Sequence, residues 1–386
     1  MAGIYIHIPF CKQACYYCNF YFSTSVALKD DIISSIIREI EIRSSFLQNE
    51  IENESSIISK DENIETIYFG GGTPSLLSSN EFFSILTTIK QNYKVASGAE
   101  INLEANPDDI TIEKLNEWKL AGINRLSIGV QSFFERDLKW MNRAHDASQA
   151  LLCIESAIAA GFDNFSIDLI FGIPDLNNSE WKENVNRMLD FKVPHLACYA
   201  LTVEPKTALQ KMIALKKKKD INNDSQAMQY SILMKMMWDA GYEHYEISNF
   251  AKPGFRSKHN SSYWQGKKYI GFGPSAHSYN GKMRMWNKVN NSLYIKSLQK
   301  NTIPYEKEIL TETQKINEYI MISLRTMEGM DLQFIENTFS KNERRRIENL
   351  IDQKAQKEMI LSSGDKIILS NHGKLFADRI AMNLFV

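Results

Sequence analysis

Three cysteines, Cys11, Cys15 and Cys18, fall within eight residues of one another. They are too crowded, and odd in number, for a disulfide framework. Thiolates at this spacing on one compact loop are soft ligands, suited to a 4Fe-4S cluster or to zinc. Three ligands on a four-iron cube leave one iron open. A structural zinc loop wants a fourth protein ligand, and His7, four residues upstream of Cys11, is the nearby candidate. The two remaining cysteines, Cys153 and Cys198, read as core residues, one in a helix and one in a strand.

A second group of signals follows. Tyr-Phe-Gly-Gly-Gly-Thr-Pro at 68–74 ends a β-rich run in three glycines, which let backbone approach a ligand and adopt positive φ. It lacks the GxGxxG spacing of a dinucleotide fingerprint. Alone it reads as a tight strand-to-helix turn; next to the cysteines, Gly71, Gly72 and Thr73 read as a cradle for the polar end of a ligand. Further on, Glu104 sits in Glu-Ala-Asn-Pro, Gln131 in Gly-Val-Gln-Ser-Phe, Arg143 in Asn-Arg-Ala-His and Asp168 in Ile-Asp-Leu-Ile-Phe-Gly, each at or near a strand end. Each has a packing or salt-bridge explanation of its own.

Positioning such residues together is the task of the elements around them. Seven short apolar runs, 4–8, 66–69, 100–104, 125–130, 164–171, 195–203 and 243–247, alternate with helical stretches at 28–50, 78–94, 110–121, 147–160, 178–191 and 224–240. Gly122, Gly161 and Gly241 stand where helices end. The alternation predicts an α/β fold with a parallel sheet, and six complete units predict a partial (β/α)6 barrel over 1–250. The strand C-terminal ends of such a barrel converge on one mouth. Residues 251–303, rich in Gly, Ser, Asn and aromatics, read as an irregular connector covering that mouth. Residues 304–386 read as a small C-terminal helical, winged-helix-like domain, with helices at 311–327 and 341–357 and a hairpin turning at Ser-Ser-Gly-Asp. The run of four lysines at 216–219 reads as a solvated face.

Composition sets the class. With 386 residues, 44% hydrophobic, 24% charged and a formal net charge of −1, the chain is long enough for a sizeable core and has no basic excess for nucleic acid. The N-terminus does not read as a signal peptide, and no apolar run approaches a membrane span. A cytoplasmic protein with at most peripheral membrane contact is expected.

Taken together, CxxxCxxC, GGGTP and the strand-end Glu-Ala-Asn-Pro resemble the radical SAM family over nearly the whole chain, in the branch around oxygen-independent coproporphyrinogen III oxidase. The resemblance implies a 4Fe-4S cluster held by Cys11, Cys15 and Cys18, with S-adenosylmethionine on the open iron. It also implies S-adenosylmethionine contacts from Tyr5, Tyr17, Gly71, Gly72, Thr73, Glu104, Gln131, Arg143 and Asp168. An electron from an external donor then cleaves the sulfonium to methionine and a 5′-deoxyadenosyl radical.

Within this branch two classes diverge. The oxidase carries a fourth cysteine two residues after the third, where this chain has Phe20, and a long segment ahead of the cysteines, where this chain has ten residues. His-Asn-Ser-Ser-Tyr-Trp at 259–264 instead resembles the HNxxYW motif of heme chaperones, which deliver heme to respiratory proteins. The resemblance makes His259 a candidate axial ligand, with His277 an alternative close in sequence, and Tyr263 and Trp264 flat faces for the macrocycle. A heme chaperone is therefore the expected function, a porphyrinogen decarboxylase the second reading, and a metal-stabilised scaffold without S-adenosylmethionine chemistry the third.

Overall fold

The structure, a computed structural model, describes residues 2–49, 62–352 and 358–386. The ends of two expected helices, residue 50 and residues 353–357, lie outside the described residues.

Six parallel strands run in sequence order: β1 (Ala2–Ile8), β2 (Ile64–Gly71), β3 (Val95–Ala105), β4 (Arg125–Gln131), β5 (Phe165–Phe171) and β6 (His195–Ala200). Their residues are mostly buried on both faces, as parallel strands covered by helices require, with the start of β3 and the end of β6 left open. The covering helices are α1 (Lys29–Asn49), α2 (Ser79–Asn92), α3 (Ile112–Ala121), α4 (Glu135–Met141), α5 (Ala147–Ala159), α6 (Asn178–Asp190), α7 (Ala208–Ala214) and α8 (Asn223–Asp239). Local chemistry sets their limits. Ser78 and Glu81 close a capping box on α2, Asn177 and Glu180 another on α6, and Gly122 ends α3 in the left-handed conformation at φ +103°.

The six strands form the expected partial barrel, which does not close, because the neighbour of β6 is an added strand and not β1. The seventh run, β7 (Glu243–Glu246), is not a barrel strand. It makes an antiparallel hairpin with β8 (Asn249–Ala251), and β8 pairs antiparallel with β6.

The stretch 251–303 is a correction to the sequence reading. It holds α9 (Lys258–Trp264), β9 (Lys268–Phe272), β10 (His277–Tyr279), β11 (Met283–Asn287) and α10 (Asn291–Leu298). β9 pairs parallel with β1, and β10 and β11 extend the sheet antiparallel from there. These strands are three to five residues long, too short to show an alternation in sequence. Nor does the character change at Pro304, since β12 (Tyr305–Ile309) pairs with β11 and ends the twelve-stranded sheet.

A second core gathers Ile316, Ile320, Leu324, Ile335, Ile347 and Leu384. It is built from α11 (Glu312–Leu324), β13 (Met330–Asp331), α12 (Leu332–Thr338), α13 (Lys341–Ile351), β14 (Ile360–Ser363), β15 (Lys366–Leu369) and α14 (Ala377–Leu384). Helices followed by a β14–β15 hairpin match the winged-helix-like expectation. Among the described residues no helix is long and apolar enough to cross a membrane.

Candidate cofactor site at the barrel mouth

The cysteine loop leaves β1 and is tied down at both ends. Cys11 N–H donates to the Ser23 carbonyl at 3.0 Å, and Ser23 N–H to the Pro9 carbonyl at 2.9 Å. Tyr16 N–H donates to the Met141 carbonyl, the Asn142 amide to the Ala14 carbonyl at 2.8 Å, and Lys12 pairs with Asp108 at 2.8 Å and also with Asp109. Lys218 donates to the Trp140 carbonyl at 2.7 Å with its ammonium 5.0 Å from the Tyr16 ring centre. One member of the lysine run therefore braces the loop, contrary to the reading of all four as a solvated face.

The glycines join loop to sheet. Gly72 and Thr73 donate their N–H groups to the Ile8 and Phe10 carbonyls at 2.8 and 2.6 Å. A Cβ on Gly72 would lie 2.5 Å from the Phe10 oxygen, and one on Gly71, at φ +111°, would lie 2.8 Å from the His7 ring. What these glycines approach closely is the chain itself, and that contact sets the cysteine loop over the strand end.

A cavity of about 1090 Å³ opens here, lined by all three cysteines and by Tyr17, Gly71, Gly72, Thr73, Glu104, Gln131, Arg143 and Asp168. Eight of the nine expected S-adenosylmethionine contacts thus share one wall system. Tyr5 does not line it; its ring stacks on Tyr68 at 6.0 Å and its hydroxyl meets His7 Nδ1 at 3.3 Å. His7 is likewise occupied, with Nε2 3.0 Å from the Tyr21 carbonyl oxygen, so it does not complete a zinc site. Among the described residues no three His, Cys, Asp or Glu side chains gather closely enough to hold one metal ion, a closeness that a cube taking each thiolate on a different iron does not require.

Arg143 organises the polar wall. Its Nη1 reaches Cys15 Sγ at 3.3 Å and the Tyr17 hydroxyl at 3.4 Å, and its Nη2 donates to Asn106 Oδ1 at 2.9 Å and the Gly129 carbonyl at 2.8 Å. Asn106 and Tyr68 are functional neighbours that the sequence reading passed over, although both lie inside motifs it singled out. Tyr68 donates to Glu104 at 2.8 Å. Gln131 is held at φ +68°, an uncommon conformation for a non-glycine residue, where β4 and β5 lose register.

Electrostatics fit a cationic ligand and a metal cluster. Burial pushes the Glu104 carboxyl up to about 7, with the charge of Asp168 adding to it, and burial pushes Asp168 up to about 7 as well. The two carboxyls line the cavity half-buried, and their raised values, which Arg125 and Arg143 only partly offset at Asp168, favour a bound positive charge. Burial also pushes the Cys11 thiol up to about 11 and raises Cys18, so thiolates here call for metal as countercharge. The thiols, the guanidinium and the carboxyls therefore suit a thiolate-held cluster and an S-adenosylmethionine beside it.

The candidate heme residues lie elsewhere. His259 is 1% exposed inside the fold, with Nδ1 2.8 Å from Thr66 Oγ1 and Nε2 2.9 Å from the Tyr263 hydroxyl. Its ring stacks on Tyr68 at 4.8 Å, and its backbone N–H and that of Lys258 donate to Glu100 at 3.0 Å. With both ring nitrogens engaged and no open side, His259 serves in this structure as a packed strut between Thr66 and Tyr263. Tyr263 is spent on the same contact, while Trp264 packs under Arg325, whose guanidinium carbon is 5.4 Å from the ring centre.

Comparison with known proteins agrees with this geometry. The Radical SAM superfamily matches residues 5–188. Over its length the chain is 33% identical to the heme chaperone HemW of Bacillus subtilis, covering 98% of each. It is 35% identical to that of Lactococcus lactis over 91% of this chain and 89% of the relative. The coproporphyrinogen III oxidase of Escherichia coli shares the fold at a TM-score of 0.83 and 21% identity, over 100% of this chain and 90% of the other. The chain belongs to the radical SAM superfamily and, within it, to the family of the HemW heme chaperones.

Proposed function

We propose that this protein is a heme chaperone that binds heme beside a 4Fe-4S cluster and S-adenosylmethionine and passes it to heme-accepting respiratory proteins. The observation that carries the reading is Phe20. It lines the cavity, 70% exposed, where the oxidase of this branch carries a further cysteine. An apolar ring at that edge suits a macrocycle better than a proton-transfer group. An external electron donor serves the cluster, and the free state of all five cysteines accords with work in the reducing cytoplasm.

The placement of the residues supports a role for each. Cys11, Cys15 and Cys18 would hold three irons of the cluster, and the loop braces from Lys12, Lys218 and Gly72 keep their spacing. Glu104, oriented by Tyr68, and Asp168 offer half-buried carboxyls to the hydroxyls and positive charge of S-adenosylmethionine. Arg143 stands ready to neutralise thiolate and carboxylate charge on the same wall. When bound, cluster and S-adenosylmethionine supply one-electron sulfonium chemistry, which the protein positions and shields from water.

The test is a heme titration and a coproporphyrinogen III assay on one anaerobic, cluster-loaded preparation. Heme binds and coproporphyrinogen III is not consumed. Many turnovers of coproporphyrinogen III to protoporphyrinogen would make the protein the decarboxylase instead.

A further inference from the structure

The cavity at the barrel mouth is larger than its cofactor end. Small-molecule pockets run to about 300–1,000 Å³ for a single ligand. This one reaches about 1090 Å³, and its walls continue from Asp168 past Tyr199 to Phe376 and Arg379.

We infer that this far half is the heme seat, and that Arg325, Lys374 and Arg379 bind the carboxylate edge of the macrocycle. The inference rests on the chaperone reading and gives it a location. Three observations support it.

The first is one-sided charge. The part of the lining contributed by residues 325 and 374–379 carries three cations against one acid, Asp378; Glu204 and Asp224 are contributed by other segments. Heme is a flat apolar disc with both carboxylates on one edge, so such a wall fixes its orientation.

The second is unmet bonding capacity. Arg325 donates Nη1 to Asp378 at 2.6 Å, but its Nε is buried with no partner. Lys374 is half-buried, its ammonium beside His244 Nδ1 at 3.0 Å, and burial pushes it down to about 8. Arg379 stands exposed on the cavity wall and, among the described residues, makes no ion pair. A carboxylate brought to these groups satisfies what the protein leaves open.

The third is shape. Tyr199 and Phe376 keep 43% and 37% of their surface exposed, and both line the cavity. Large aromatic faces left in a cleft are the natural complement of a planar ligand. The HNxxYW segment enters indirectly: Trp264 lies under Arg325 and holds its guanidinium in place, which makes it a positioning residue.

A second cavity, of about 560 Å³ between α9 and α11, is also aromatic. There Lys315 is paired with Glu312, and Arg256 with Glu243 and Glu328, which leaves Lys282 as the one lining cation outside an ion pair among the described residues.

The experiment titrates heme and heme dimethyl ester into anaerobic, cluster-loaded wild type, Arg379→Gln and Lys374→Met. Arg379 is exposed, so its replacement leaves folding intact even if that of Lys374 does not. Each variant should bind heme roughly tenfold more weakly, the worth of one charge-assisted hydrogen bond, and should bind the ester as wild type does. The perturbation of the cluster's paramagnetic resonance by S-adenosylmethionine should be the same in all three. Wild-type heme affinity in both variants, or a parallel loss for heme and ester, would overturn the location. Wild type that binds neither heme nor ester would overturn the chaperone reading itself.

Discussion

Gly72 touches Phe10 backbone to backbone: a Cβ on the glycine would stand 2.5 Å from the Phe10 carbonyl oxygen and 2.9 Å from that of Ile8. The neighbours are main chain of the loop that bears the cysteines, so they cannot rotate away. Gly72→Ala should push the loop off the strand end, at a cost of about 1–3 kcal/mol. Urea denaturation of the apo chain and iron content after reconstitution check it; unchanged stability with a full cluster would mean the loop adjusts freely.

Single replacement of Cys11, Cys15 or Cys18 by Ala should leave reconstituted protein without the roughly four irons and four sulfides expected of one cube. Cys153→Ala should retain them, because Cys153 is buried in α5 with its thiol directed to the Ala150 carbonyl at 3.2 Å. Iron and labile-sulfide analysis distinguishes the two groups.

Glu104 and Asp168 set a pH dependence. Both carboxyls are raised to about 7, mainly by burial, whereas in the unfolded chain they ionise near 4. Below about pH 4 both states hold the protons and the pair costs nothing. Between about 4 and 7 the unfolded chain has released them and the folded chain has not, so this contribution to stability declines as pH rises. Glu104→Gln should therefore gain on wild type as pH moves from 5 to 8, measured as the difference in urea midpoints of the apo proteins. S-adenosylmethionine, bringing positive charge between the carboxyls, should release protons on binding. Calorimetry in buffers of different ionisation enthalpy detects that release, and its absence would remove these two groups from the ligand's surroundings.

His259→Ala should act on the fold before it acts on heme. The ring fills space beside Gly3 and Tyr68 and satisfies Thr66 and Tyr263, so its loss should cost about 2–4 kcal/mol. Protein that remains folded should still take up heme in wild-type stoichiometry. A variant that melts like wild type but loses the heme spectrum would restore His259 as the iron ligand.

The sequence alone determined the cluster loop, the six βα units and the strand-end acids. Each is a local signal: a ligand spacing within eight residues, an alternation of apolar runs and helices, a polar residue closing an apolar strand. A parallel barrel turns such local signals into a site automatically, because all its strand ends meet at one mouth. Tertiary structure decided what depends on contacts between distant segments. Whether 251–303 is connector or sheet is settled only by the free edge of β1, which pairs residue by residue with β9. Which lysine of four matters is settled by Trp140 and Tyr16, far away in the chain. His259 has the type and the neighbours of a metal ligand in sequence, yet Thr66, nearly two hundred residues earlier, takes one of its nitrogens. A side chain's chemistry is written in its identity, but whether that chemistry is free to act depends on which partners the fold brings to it.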